Sequence, residues 1–193
     1  QSSLSAFQAS LLTLSSASQY LVMSANVADN TILTASSTTG AAAGAYSVNV
    51  SQLAQAQSLT TSGVANQTSA IGSGTATKLT FSFGTISGGT LTDGTYSGAS
   101  FAANASQQPV TITIDSSNNS LQGIRDAINA SGAPVNATIV NDGSGTPYRL
   151  VLTSKTTGEN MSMNITAAAG GDATITNMLA YDATGAQNLT QMA

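Results

Sequence analysis

One stretch, Val110 to Ser154, confines the fold more than any other, because its apolar period changes from two to a helical spacing and back again. Val110, Ile112 and Ile114 alternate with Thr111, Thr113 and Asp115, the pattern of a strand with one buried face. A turn-forming run, Ser-Ser-Asn-Asn, follows, and Leu121, Ile124, Ala127 and Ile128 then fall on one face of a helix. Ser120 stands where an N-cap hydroxyl accepts free amides, while Gly132 and Pro134 stand where a helix stops. The spacing therefore predicts a helix over about 121–131. Val135, Ala137 and Ile139 begin a second strand, the run NDGSG turns it, and Leu150 with Leu152 returns. Strand, helix, strand and hairpin make a β-α-β-β unit, read as one helix covering one sheet.

The rest of the chain is read the same way. Leu4, Phe7, Leu11, Leu14 and Leu21 recur at alternating spacings of three and four, with Ser18 in the one gap, so residues 1–23 read as a helix with a heptad seam. Leu12 widens the stripe, and Ser, Gln and Thr fill the opposite face. Both a helix packed on its own domain and a leg that packs on other helices or subunits fit this seam. From Asn30 the period becomes two: Ile32 lies in one short β-run, and Tyr46, Val48 and Val50 alternate with polar residues in another. Residues 60–76 read as a linker by composition. Leu79, Phe81 and Phe83 then mark a strand, Asp93-Gly94 a turn, and further strands are read at 110–115, 135–141, 148–154 and 161–166. The opening QSSLSAFQAS, without Met or a basic stretch, reads as the start of a fragment or a processed chain.

Composition narrows function. Only twelve of 193 residues are charged, four basic and eight acidic, so no phosphate-binding surface can be assembled and nucleic acid is excluded as a partner. No apolar run reaches the roughly 18 residues that suggest a membrane-spanning helix. Histidine and cysteine are both absent, which removes imidazole bases, thiolate nucleophiles and the commonest zinc ligands. No catalytic residue, metal or cofactor is expected, and the chain is not read as an enzyme. With no Trp and four Phe, a core of Val, Ile, Leu and Met in thin layers is expected. Arg125, Asp126, Asp115 and Asp142 then take structural addresses on the helix surface, a strand end and a turn.

Two segments resemble a known family. LQGIRDAINASGAPVNATIVNDG, with YRLVLTSKTTG after it, resembles the flagellin hook IN motif, Ile128-Asn129 standing at the position that names it. TASSTTGAAAGAYSVNVSQLAQAQSL resembles the N-terminal region of the bacterial filament-capping proteins, the hook-associated protein 2 family. The resemblance implies an extracellular homo-oligomeric ring at the flagellum tip. β-Rich heads would form a plate, helical legs would anchor it, and exported flagellin would fold and insert beneath it. It also implies export by the flagellar type III apparatus, with flagellin, other hook-associated proteins and an export chaperone as partners.

On this resemblance the fold class is α+β and mostly β. Residues 1–28 would be a helical leg segment, 29–66 the start of a first β-rich head domain, 67–180 a distal head domain with the β-α-β-β unit, and 181–193 a return toward the first head domain. Leu4, Phe7, Leu11, Leu14 and Leu21 are the candidate leg-packing or inter-subunit residues. The alternative is a flagellar or cell-surface adhesin for host glycan or mucin, with Tyr96, Phe101, Tyr148 and Tyr181 as its aromatic resources.

Overall fold

Each of the two units into which the chain divides, Gln1–Ser51 and Gln52–Ala193, has its own character; the computed structural model describes residues 2–14, 23–38, 40–51 and 53–192. In the first unit the heptad seam forms a helix, α1 (Ser2–Leu14). Residues 15–22, and with them Ser18 and Leu21, lie outside the described residues. Downstream, the two expected β-runs are not strands. Ile32 lies in a turn, where the carbonyl of Asp29 accepts from the amides of Ile32 and Leu33 and its carboxylate accepts from the Thr31 amide and hydroxyl at 2.8 and 2.6 Å. Tyr46, Val48 and Val50 pair with no strand among the described residues, and Tyr46 is 85% exposed. An alternating run becomes a strand only where a neighbour completes its ladder.

The second unit carries the β-structure. Residues 60–76, expected as a linker, are folded into it. Strand β1 (Ser58–Thr60) lies between β6 (Tyr148–Ser154) and β8 (Thr190–Gln191), and β5 (Val135–Asn141) pairs β6 at the edge, all antiparallel. Thr61, 1% exposed, continues the ladder: its amide donates to Leu150 O and its Oγ1 accepts from Leu150 N, both at 3.0 Å. Composition suggested a spacer here because Thr, Ser and Gly also serve close backbone packing.

A second sheet is built on β2 (Thr77–Thr92), where Leu79, Phe81 and Phe83 are buried while Lys78 is exposed. Its Leu79–Gly84 segment pairs β7 (Ser162–Ala167). Its other side pairs β4 (Val110–Ile114) along Thr77–Phe81 and β3 (Thr95–Ala103) along Gly84–Thr92. The expected strands at 135–141 and 148–154 form with those bounds.

Helix α2 (Leu121–Ala130) forms as its signals dictate. Ser120 Oγ accepts from Gly123 N at 3.1 Å, Ser131 caps the other end, and Gly132 follows at φ +77°. Leu121, Ile124 and Ile128 are fully buried. One correction concerns topology: β4 belongs to the β2 sheet, while β5 and β6 belong to the other, so the β-α-β-β order does not fold as one helix on one sheet. The helix bridges two sheets, and its apolar face joins Leu59, Leu79, Phe81, Ile114, Leu150 and Leu152 in a single core. Each such side chain contributes about 1.5–3 kcal/mol on burial. A short helix not read from sequence, α3 (Ala173–Leu179), buries Ile175, Met178 and Leu179 on the same core.

Strands β2 and β3 form a hairpin longer than its apolar run suggested. Asp93 and Gly94, at φ +50° and +76°, make the tight turn that the Asp-Gly signal predicts. Gly88 and Gly89, at φ +67° and +70°, lie inside β2, Gly88 pairing Ala99, and face a third positive-φ glycine, Gly98, in β3. At Gly89 a Cβ would lie 2.6 Å from both Ala99 N and Ser97 O. The tip of the hairpin is tied down by Gln187, whose amide accepts from Tyr96 N at 2.6 Å and donates to Tyr96 O at 2.7 Å, while Gln191 N donates to Gly94 O at 2.8 Å. Gly89→Ala is therefore expected to lower unfolding stability by about 1–3 kcal/mol, measured by urea denaturation, and to speed amide exchange at Tyr96. Unchanged stability and exchange would show that the hairpin does not depend on this glycine.

Candidate functional site

The seam residues come together on α1. Leu4, Phe7 and Leu11 share one face at helical spacing and are 72%, 63% and 50% exposed, with Leu12 exposed beside them. Leu14 ends the helix, and Leu21 lies outside the described residues. The face is apolar, uncharged and open to solvent, so within the first unit it is not covered. A helix of this length is marginal alone in water, and four of its positions are Ser, a weak helix former. Ile32, Val48 and Val50 in the same unit are exposed as well. Exposed apolar surface of this kind marks interaction sites.

The second unit is the opposite case, with its polar groups consumed internally. The Asp115 carboxylate accepts from the Ser117 amide and hydroxyl at 2.9 and 2.6 Å, which lowers its pKa. Asp142 is held by Arg149 and the Ser144 amide, which lower its pKa further. Arg125 pairs with its neighbour Asp126 at 2.7 Å. Arg125, Asp126, Asp115 and Asp142 thus occupy the structural addresses expected of them, and the three carboxylates each have their own partners. Among the described residues no group of three or more potential ligands could hold a metal. Tyr181, counted as an aromatic resource for an adhesin, is fully buried, and burial pushes its hydroxyl pKa up.

Asp172 escaped the sequence reading. It caps α3 by accepting from Thr174 N at 2.8 Å, and its other oxygen accepts from the Ser73 hydroxyl at 2.8 Å, the Ser73 amide and Gly74 N at 3.2 Å. Its own amide donates to Thr77 Oγ1 at 2.7 Å. One buried carboxylate thereby fastens the 72–77 segment to α3. The signal was present as Gly-Gly-Asp before Ala-Thr-Ile, a cap ahead of an apolar run too short to call attention to itself.

Comparison with known proteins identifies the architecture. Residues 1–57 match the family profile described as flagellar hook-associated protein 2 N-terminus, and residues 78–156 that of the flagellin hook IN motif. The chain is 34% identical over 188 residues to flagellar hook-associated protein 2 of Escherichia coli, covering 97% of this chain and 35% of that protein. It is 33% identical over 194 residues to B-type flagellar hook-associated protein 2 of Pseudomonas aeruginosa, covering 98% and 36%. The chain thus spans about a third of the length of these curated relatives. Among solved structures, the D2–D3 domains of the Escherichia coli flagellar cap protein match at TM-score 0.58 and 33% identity, over 74% of this chain and 62% of that one. The corresponding domains from Serratia marcescens match at TM-score 0.56 and 27% identity, over 74% and 65%. These names refer to hook association and capping; none refers to a reaction or to adhesion.

The Asp172 fastening gives the second unit a defined acid response. Hydrogen bonds, first from the Ser73 hydroxyl and then from backbone amides, hold its pKa at about 2 against an ordinary 3.8. A depressed carboxyl stabilises the fold fully above its ordinary pKa and loses that contribution as pH falls toward the folded value. Asp172→Asn is expected to lower the thermal midpoint at pH 7, with the difference from the unchanged chain shrinking between about pH 4 and pH 2. A difference that stayed constant over that range would remove the charge of Asp172 from the account.

Proposed function

Since the chain belongs to the flagellar hook-associated protein 2 family, we propose that it is part of the cap of a bacterial flagellar filament, a homo-oligomeric plate at the tip that promotes folding and insertion of exported flagellin. The observation that carries this reading is the order of the two family matches, residues 1–57 and then 78–156, on a chain whose second unit has the fold of cap-protein head domains. In this reading residues 1–28 are a leg segment, 29–66 begin a first β-rich head domain, 67–180 form a distal head domain, and 181–193 return toward the first. The head is joined to its neighbouring sequence through adjacent strands: β1 enters and β8 leaves side by side, with Met192 N donating to Ser58 O at 2.8 Å.

The work is mechanical. A plate that readmits one subunit after another needs contacts that form and release, and polar uncharged surface provides weaker contacts than a large apolar interface. The exposed seam of Leu4, Phe7 and Leu11 is then the leg surface that packs on other helices or on neighbouring subunits. Flagellin, other hook-associated proteins and an export chaperone are the partners this role requires, and the flagellum tip, reached by type III export, is its location. Among the described residues no helix is long and apolar enough to cross a membrane.

The test is made in the full-length protein. Replacing Leu4, Phe7 and Leu11 with Gln is expected to weaken the closed oligomer at least tenfold in light scattering across a concentration series, since loss of one buried apolar side chain is worth about 1.5–3 kcal/mol. Filament growth on a cap-deficient flagellum is expected to fall with it. Oligomer mass and filament growth both unchanged would take the seam out of the assembly, and full-length protein that stayed monomeric throughout would overturn the cap reading itself.

A further inference from the structure

Ile128 and Asn129, the pair that names the hook motif, point to different tasks. Ile128 is fully buried in the core, whereas Asn129 lies on the exposed rim of α2. From there its side chain meets the backbone of strand β5: Asn129 Nδ2 donates to Ala137 O at 2.8 Å, and Ala137 N donates to Asn129 Oδ1 at 2.9 Å. One side-chain amide thus completes both the donor and the acceptor of a single residue, as a neighbouring strand would.

Its location gives that contact a consequence. β5 is the end strand of its sheet, with β6 on its inner side. In an antiparallel ladder the residues alternate between facing the partner and facing away, and Ala137 faces away, because both of its backbone groups reach Asn129. An unpaired edge is a template on which another chain can add a strand. Proteins usually protect such an edge with Lys, Pro or a bulge, yet Val135–Asn141 reads VNATIVN, with no charge, no proline and a high share of β-branched residues. Asn136, Thr138 and Val140 are exposed. The ion pair of Asp142 with Arg149 lies beyond the C-terminal end of the strand and leaves its middle without a charge.

We infer that Asn129 is an edge guard: its side chain acts as a one-residue surrogate strand that closes the centre of β5 to pairing with a second copy of this chain. The residue type follows from the chemistry. Asp offers no donor to the Ala137 carbonyl, Ser offers one group instead of two, and Gln carries the amide a methylene too far. The helix follows from the geometry, since the buried Ile128 fixes the rotation that aims the next residue at the sheet edge.

Asn129→Ala and Asn129→Asp, each made in this chain and checked for folding by circular dichroism, test the inference against the unchanged chain at equal concentrations. Amide exchange at Ala137 is expected to rise about tenfold, and sedimentation is expected to reveal a heavier, concentration-dependent species that the unchanged chain does not form. Adding Ala137→Pro to Asn129→Ala removes the outward N–H and is expected to abolish that species, since proline is tolerated where an edge amide faces away from the sheet. Sedimentation unchanged in both single variants, unchanged exchange at Ala137, or association that persists with proline at position 137 would each overturn it.

Discussion

Every buried backbone N–H and C=O must find a partner, and this chain meets that demand with strands too short to do it alone. β1 has three residues and β8 two, yet both lie in the body of the second unit. Neutral side chains finish what the ladders leave open. Thr61 completes Leu150, Asn129 completes Ala137, Gln187 completes Tyr96, and Gln57 accepts from Met163 N at 2.6 Å while donating to Gln191 at 2.8 Å. Among the described residues no buried side-chain nitrogen or oxygen lacks a partner. Remove these amides and hydroxyls, and the core would remain apolar but the sheets around it would have unsatisfied edges, each costing about 1–3 kcal/mol.

That choice of fastener shapes how the molecule responds to its surroundings. Amides and hydroxyls do not titrate in the ordinary range, and their hydrogen bonds are not screened by salt as surface ion pairs are. Among the described residues the ion pairs Arg125 with Asp126 and Arg149 with Asp142 are both partly exposed, and such pairs contribute at most about 1 kcal/mol each. The carboxylates with lowered pKa values accept hydrogen bonds in turns or caps, so their influence is confined to acid conditions. A fold fastened this way depends little on pH and ionic strength, where a charge-rich design would depend on both.

How much of this was legible depended on whether the deciding contact was local. Helix α2 was read within one residue, because Ser120, the Leu121–Ile128 face and Gly132 sit within a few positions of one another. β5, β6 and the Asp93-Gly94 turn were legible for the same reason. What failed was long-range. Nothing in SLT announces that β1 pairs β6 more than ninety residues later, so residues 60–76 passed for a linker. The alternation of Tyr46, Val48 and Val50 matches that of real strands, but a strand also needs a partner, which one stretch of sequence does not name. The division of β4 from β5 and β6 between two sheets was hidden likewise, since strand order is a property of pairing and not of pattern. For the candidate site, the seam of Leu4, Phe7 and Leu11 was visible as a period, whereas Asn129 gained its meaning only when β5 appeared beside it.

The two units differ in how far each has satisfied itself, and that difference is the strongest physical argument about what the molecule does. Gln52–Ala193 has gathered most of its large apolar side chains into one core, and among its described residues no buried side-chain nitrogen or oxygen lacks a partner, so it gains little from further association through that core. Gln1–Ser51 has done the reverse, leaving Leu4, Phe7, Leu11, Ile32, Tyr46 and Val48 in water. Leaving a Leu or Phe side chain exposed forgoes roughly 1.5–3 kcal/mol apiece, more in sum than a weak thirteen-residue helix can offset by its own hydrogen bonds. Such a segment is stable only as part of something larger. One unit closed around a core and another with exposed apolar positions is the contrast on which the proposed assembly role rests.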